Sequence, residues 1–110
     1  MRALSLSLVL TTCGSEAEAA RIGRTLVEER LAACVNRLPV QSCYSWEEAI
    51  HDEAEQLLVI KTLSSRLGDL KKRLMELHSY DVPELVVLDA TDVSEAYLAW
   101  VRRSVDLEGN

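Results

Sequence analysis

Near the start of the chain Leu4, Leu6, Leu8 and Leu10 alternate with Ser5, Ser7, Val9 and Thr11. A period of two marks a half-buried strand, and the serines predict that one of its faces is wet. Cys13-Gly14 breaks the pattern. Ser15-Glu16-Ala17-Glu18 then has the form of a capping box that opens a helix. Its stripe is Ala19, Ile22 and Leu26, flanked by Ala20, Gly23 and Val27, and it ends near Arg30.

Arg30 to Trp46 runs for about fifteen residues with little turn chemistry, which is roughly 50 Å when fully extended. A domain of this size is only about 35 Å across, so the stretch must bend or reach past its own domain. Pro39 cannot donate to a ladder and predicts an edge position or a bulge. Glu47 to Gln56 is acidic and reads as a hairpin tip. Leu57-Leu58-Val59-Ile60 follows as a strand buried on both faces. Ser64 or Ser65 is the expected cap of a second helix, lined by Leu67, Leu70, Leu74 and Leu77. A connection centred on Pro83 leads to a fourth strand, Leu85-Val86-Val87-Leu88, apolar at both parities. Asp92-x-x-Glu95 predicts the start of a third helix with Tyr97, Trp100 and Val101 on one face.

The order β-α-β-β-α-β-α is that of an α+β, ferredoxin-like βαββαβ sandwich, with an extended hairpin between strands two and three and a C-terminal helix. The first and third strands should be central, with helices on one face of the sheet. Strands apolar at both parities would then leave an open patch of Leu and Val, which monomers rarely expose. An obligate oligomer with sheet faces packed together, and with hairpin arms crossing to neighbours, is the expectation.

Composition changes this picture little. The 110 residues are 48% apolar, enough for one core, and a single domain over residues 1–110 is expected. No apolar run approaches the length of a membrane span. The net charge of −6 argues against nucleic-acid binding. Three cysteines without CxxC spacing suggest neither a disulfide framework nor a zinc site. A cytoplasmic protein is expected, without membrane or nucleic-acid partners.

No Ser-His-Asp order, phosphate loop or HExxH helix is present, so no enzyme is expected. Cys13 ends the first strand beside a helix N-terminus, a place that lowers a thiol pKa and suits a metal ligand, or else it is a small core residue. Cys34, between Ala33 and Val35, reads as core. His78 follows the last leucine of its helix, where it suits the helix dipole or a metal. His51 among Asp52, Glu53 and Glu55 reads as a solvated tip, or else as a weak hold on a divalent ion. The aromatics Tyr44, Trp46, Tyr80, Tyr97 and Trp100 suit a subunit interface or a shallow cleft.

Glu29-Arg30-Leu31-Ala32-Ala33-Cys34-Val35-Asn36 resembles the strongest signature of the CutA divalent-cation-tolerance family. So do Ser42, Tyr44 and Trp46, the run Ile60-Lys61-Thr62, the segment Leu77 to Glu84 and Tyr97-Leu98-Ala99-Trp100. The resemblance covers essentially Leu4 to Arg103. It implies a ferredoxin-like protomer in a tight homotrimer with interlocking hairpin arms, and a link to divalent metals, chiefly copper. It requires no cofactor beyond a possible metal ion. Some members bind copper through a Cys at the end of the first strand and nearby His residues. Thr11 stands at that Cys position, with Cys13 two residues on, and His78 matches by position. The metal candidates are therefore His78 and Cys13. A trimeric signalling or scaffold module is the alternative, with Tyr44, Trp46, Lys61, Tyr80 and Glu84 lining a cleft between subunits for a small effector or a protein partner.

Overall fold

The structure, a computed structural model, describes residues 5–106. Leu4 and the ends of the expected 1–110 domain lie outside the described residues. The elements are β1 (Leu6–Cys13), α1 (Glu16–Glu28), β2 (Cys34–Trp46), β3 (Ala49–Leu63), a 3-10 turn (Ser64–Arg66), α2 (Leu67–Leu77), β4 (Val86–Asp89) and α3 (Glu95–Val105). They form one four-stranded sheet in the order β2-β3-β1-β4. All its neighbouring strands are antiparallel, and β3 and β1 are central. This is the ferredoxin-like α+β sandwich.

Side-chain parity divides the sheet into two faces. Val9 sits opposite Ile60 and Thr11 opposite Leu58. That face carries the main core, where Val9, Cys13, Leu58 and Ile60 meet Ile22 and Leu26 of α1 and Leu70 and Leu74 of α2. Burying each large side chain stabilises the fold by about 1.5–3 kcal/mol. Ser15 caps α1 as predicted, its Oγ accepting from the Glu18 N–H at 3.1 Å.

The alternation of β1 is real, but its faces are reversed from the expectation. Ser7, Val9, Thr11 and Cys13 are the fully buried set, while Leu8 and Leu10 are only half-buried on the other face. Small hydroxyl side chains let the helices approach closely. Ser7 is satisfied by the Ser64 hydroxyl at 2.7 Å and by the Asp89 carboxylate at 3.1 Å. Thr11 Oγ1 is the one buried side-chain polar atom among the described residues without a partner.

The helices do not all lie on one face. α3 packs Val101 and Val105 on Leu6, Ala33 and Leu63, a second cluster at one end of the other face. Arg30, at φ 61°, fastens that end, its guanidinium donating to the Ser104, Arg103 and Asp106 carbonyls at 3.2, 2.9 and 3.0 Å. The rest of the face is uncovered within the protomer. Leu8, Leu10, Leu57 and Val59 are half-buried there, and Leu38, Val86 and Leu88 are exposed.

Other corrections follow from backbone chemistry. β3 begins at Ala49, so the acidic run is strand and the hairpin tip is only Glu47-Glu48, at φ 51° and 65°. Two positive-φ residues make the tight turn whose twist matches paired strands. The β2–β3 register is unbroken from Cys34↔Lys61 to Trp46↔Ala49, so Pro39 marks the sheet edge and not a bulge. Ser64 caps no α-helix; it enters the 3-10 turn, its Oγ donating to Ser5 O at 3.2 Å. α2 starts without a side-chain cap. Ser94, not Asp92, caps α3 by accepting from the Tyr97 N–H at 3.3 Å. The arm stretches the molecule to 48 × 26 × 21 Å, as the strand length required.

Candidate functional site

The predicted site residues fall into four places. His78 is the C-cap of α2, and its side chain is wholly enclosed. The Tyr80 N–H donates to its Nδ1 at 3.1 Å, so Nδ1 carries no proton. Nε2 lies 2.8 Å from the Thr12 carbonyl and must be the protonated nitrogen. The ring is therefore a neutral tautomer with both nitrogens engaged, pinning the post-helix segment to the end of β1. Glu18 completes the tie by accepting from the Ser79 N–H and Oγ at 2.9 and 3.0 Å.

Cys13 lies beside this junction, fully buried, its thiol donating to Ser15 O at 3.8 Å. Burial first, and the Glu18 charge next, push the thiol pKa up, which opposes the lowering expected from the helix terminus. A metal ligand must be a free thiolate or an open imidazole nitrogen. As folded, His78 and Cys13 offer neither. Among the described residues no three His, Cys, Asp or Glu side chains form a group that could hold a metal ion. All three cysteines are free thiols, with Cys34 half-buried and Cys43 exposed.

The third place is a hollow of about 750 Å³ on the uncovered sheet face, between the hairpin arm and the segment after His78. Period-two alternation brings Tyr44 and Trp46 from β2 and Glu53 and Glu55 from β3 onto this face. Tyr80, Val82, Pro83 and Glu84 form the opposite wall. Tyr44 stacks on His51 with ring centroids 5.3 Å apart and donates to Glu53 Oε1 at 2.8 Å. Tyr80 donates to Glu55 Oε2 at 2.7 Å. Burial, and after it the Glu55 hydrogen bond and charge, raise the Tyr80 pKa far above that of a free phenol.

Tyr44, Trp46, Tyr80 and Glu84 share one hollow within the protomer. Lys61 is elsewhere: it is six residues along β3 from Glu55, about 20 Å away, and donates to Asn36. Glu53 and Glu55 were expected at a solvated tip and not in this hollow, because an acidic run carries no apolar alternation. Their signal was parity, since His51, Glu53 and Glu55 continue the odd-numbered series of Leu57 and Val59.

The arrangement defines a class, a ferredoxin-like protomer with a projecting hairpin arm and an acidic, aromatic hollow at its base. The family model described as "CutA1 divalent ion tolerance protein" matches residues 7–104. The chain belongs to the CutA1 divalent ion tolerance family. It is 43% identical over 98 residues to the divalent-cation tolerance protein CutA of Thermus thermophilus, covering 88% of this chain and 95% of that one. It is 40% identical to the human protein CutA, covering 90% of this chain but 56% of the human one. The crystallised CutA of Synechococcus elongatus superposes with a TM-score of 0.91 at 40% identity, covering 96% and 95% of the two chains. An Archaeoglobus fulgidus structure, titled a periplasmic divalent cation tolerance protein CutA, has a TM-score of 0.89 at 30% identity, covering 92% and 99%. The family is named for tolerance and not for catalysis. No helix of the described residues is long and apolar enough to cross a membrane.

Proposed function

We propose that this chain acts as a homotrimer in the tolerance of divalent cations, chiefly copper, and binds its ligand in the hollow at the base of the arm, closed there by a neighbouring subunit. The observation that carries the reading is the uncovered sheet face. Leu38, Val86 and Leu88 are each more than 40% exposed beside half-buried Leu8, Leu10, Leu57 and Val59. A contiguous apolar face of this kind is the mark of an interface. The arm supports the same reading. Trp46 and Ile50, at 43% and 74% exposure, reach past the protomer's own core. Cytoplasmic residence is part of the proposal, supported by three free thiols. No residue is assigned a catalytic role.

Light scattering over a concentration series tests the assembly. The wild type stays trimeric, and Leu88→Glu, which places a charge on the open face, lowers the mass to that of a protomer. A stable, well-folded wild-type monomer refutes the trimer. Calorimetry with Cu(I), Cu(II) and Zn(II) on the wild type and His78→Ala tests the metal. A metal at His78 must displace the Thr12 carbonyl or the Tyr80 amide, so unchanged affinity in His78→Ala removes that residue from any metal site. A thermal-shift screen across metals, nucleotides and small acids decides the alternative of a signalling or scaffold module. Stabilisation by metals alone supports the metal reading.

A further inference from the structure

α1 ends in a Schellman motif. The Leu31 N–H donates to Leu26 O at 2.9 Å and the Arg30 N–H to Val27 O at 3.0 Å. Arg30 is the residue that turns the chain, at φ 61°. Glycine is usual at that position, because an L side chain in the left-handed region is strained. An arginine held there demands a reason in its side chain. The guanidinium supplies one by donating to the Arg103, Ser104 and Asp106 carbonyls at 2.9, 3.2 and 3.0 Å. Carbonyls in the last turn of a helix have no partner within it, and that end of the dipole favours a cation. Arg66 fixes the Arg30 backbone in turn, its Nε and Nη2 donating to Arg30 O at 3.3 and 3.2 Å. One arginine thus closes α1 with its backbone and α3 with its side chain.

The apolar footing of α3 is small. Its buried residues are Val101 and Val105, with Tyr97 and Leu98 partly buried beside them, whereas Ile22 and Leu26 hold α1 and Leu70 and Leu74 hold α2. Among the described residues the main core contains none from α3, and residues 90–94 alone link α3 to β4. The ferredoxin-like core is therefore complete without it. Leu6 and Leu63 beneath α3 continue, at the same parity, into Leu8 and Leu10 on β1 and Val59 and Leu57 on β3, which belong to the uncovered face. α3 thus covers one end of the surface whose remainder a neighbouring subunit would cover. We propose that α3 is a flap latched by Arg30, and that the closed latch bounds the face on which copies of this chain associate; the second half rests on the trimer proposed above. Opening the latch adds Leu6, Ala33 and Leu63 to the apolar face, which admits contacts beyond the closed assembly.

Hydrogen exchange of the full-length protein, wild type against Arg30→Gly, tests the latch. Glycine suits φ 61°, so the Schellman turn is kept and only the guanidinium is lost. Amides of residues 98–105 should exchange at least about tenfold faster, from the loss of hydrogen bonds to a charged group, while those of α1 and α2 keep their wild-type rates. Light scattering on the same samples should show Arg30→Gly spreading to masses above that of the wild type. Arg30→Lys keeps the charge without the planar fork, so it gives a smaller acceleration, and it carries the test if circular dichroism shows Arg30→Gly misfolded. Glu48→Gly removes a positive-φ side chain at the arm tip and leaves α3 exchange unchanged, which controls for the relief of backbone strain. Wild-type exchange of α3 in Arg30→Gly overturns the inference. So does acceleration of α1, α2 and α3 together, which would make α3 part of one cooperative unit. Fast α3 exchange with an unchanged mass refutes the link to assembly. A monomeric wild type removes the trimer, and the exchange rates then decide the latch by themselves.

Discussion

Glu18→Gln should weaken the fold at neutral pH and hardly at all in acid. Glu18 ties α1 to the segment after α2 through two hydrogen bonds from Ser79 at 2.9 and 3.0 Å, with His78 Nδ1 3.7 Å away. Its side chain is 12% exposed. Burial pushes the carboxyl pKa up, but the two Ser79 hydrogen bonds, helped by the Arg21 charge, outweigh it, and the net shift is below the ordinary glutamate value. The unfolded chain therefore binds the proton more readily. The stability from this group is present above the unfolded value of about 4.3 and is lost as pH falls through the lower folded one. A hydrogen bond to a charged group contributes about 1.5–3 kcal/mol. Gln keeps one acceptor oxygen and loses the charge, so the substitution should cost about 1–2 kcal/mol at pH 7. Urea unfolding of both proteins measures it, at one fixed protein concentration because association shifts apparent stability. The gap should narrow as the pH falls below the ordinary glutamate range, where the wild-type carboxyl takes up its proton in turn. A gap of the same size at pH 7 and pH 3, or none at pH 7, would refute the role assigned to the charge.

Tyr80→Phe strips the one donor that the Glu55 carboxylate has among the described residues; unfolding titrations should show a loss of about 1–3 kcal/mol. Leu74→Ala empties a fully buried position between α2 and the sheet, and should lower stability by about 2–5 kcal/mol in the same assay. Gly68→Ala places a methyl in open space in the first turn of α2, and should raise stability by up to about 1 kcal/mol. Glu48→Gly relieves a positive-φ residue at the hairpin tip and should stabilise by roughly 1 kcal/mol, read as a higher urea midpoint with an unchanged slope.

What could be read from the sequence was whatever packs inside one protomer. The 3.6-residue stripes of Ala19, Ile22 and Leu26 and of Leu70 and Leu74 are core, because a helix on a sheet must bury one side. Ser15 could be recognised as a cap since its partner, the Glu18 N–H, is three residues away. The errors fall where local pattern and tertiary demand part. Leucines on β1 suggested the buried face, yet Ser7 and Thr11 are the enclosed ones, since the helices need close approach and Ser64 and Asp89 satisfy Ser7. Residues 49–56 were invisible as strand because the arm faces no core of its own chain, and so carries no apolar alternation. The hollow was half legible. Its aromatics stand out in a chain with no Phe, whereas Glu53 and Glu55 needed the register to place them.

The arm explains why the site sits where it does. β2 and β3 pair without a break over the whole of β2, but helices back them only toward one end, where Val35, Leu58 and Ile60 meet the main core and Leu63 meets α3. Beyond Pro39 and Gln56 the chain's own contribution is the segment following His78, and that segment is fastened at three points: His78 to Thr12, Ser79 to Glu18, and Tyr80 to Glu55. Each fastening uses a polar group, so the hollow is framed by hydrogen bonds and charge and not by apolar packing. A two-stranded arm is marginal alone in water, and its inner surface is acidic and aromatic. The same residues that leave the arm without a core of its own thus form an anionic recess beside it. A subunit that fills the recess should also stiffen the arm. Hydrogen exchange of residues 40–56 should therefore slow on trimer formation. Exchange that is indifferent to assembly would mean that the arm is held by its own ladder alone.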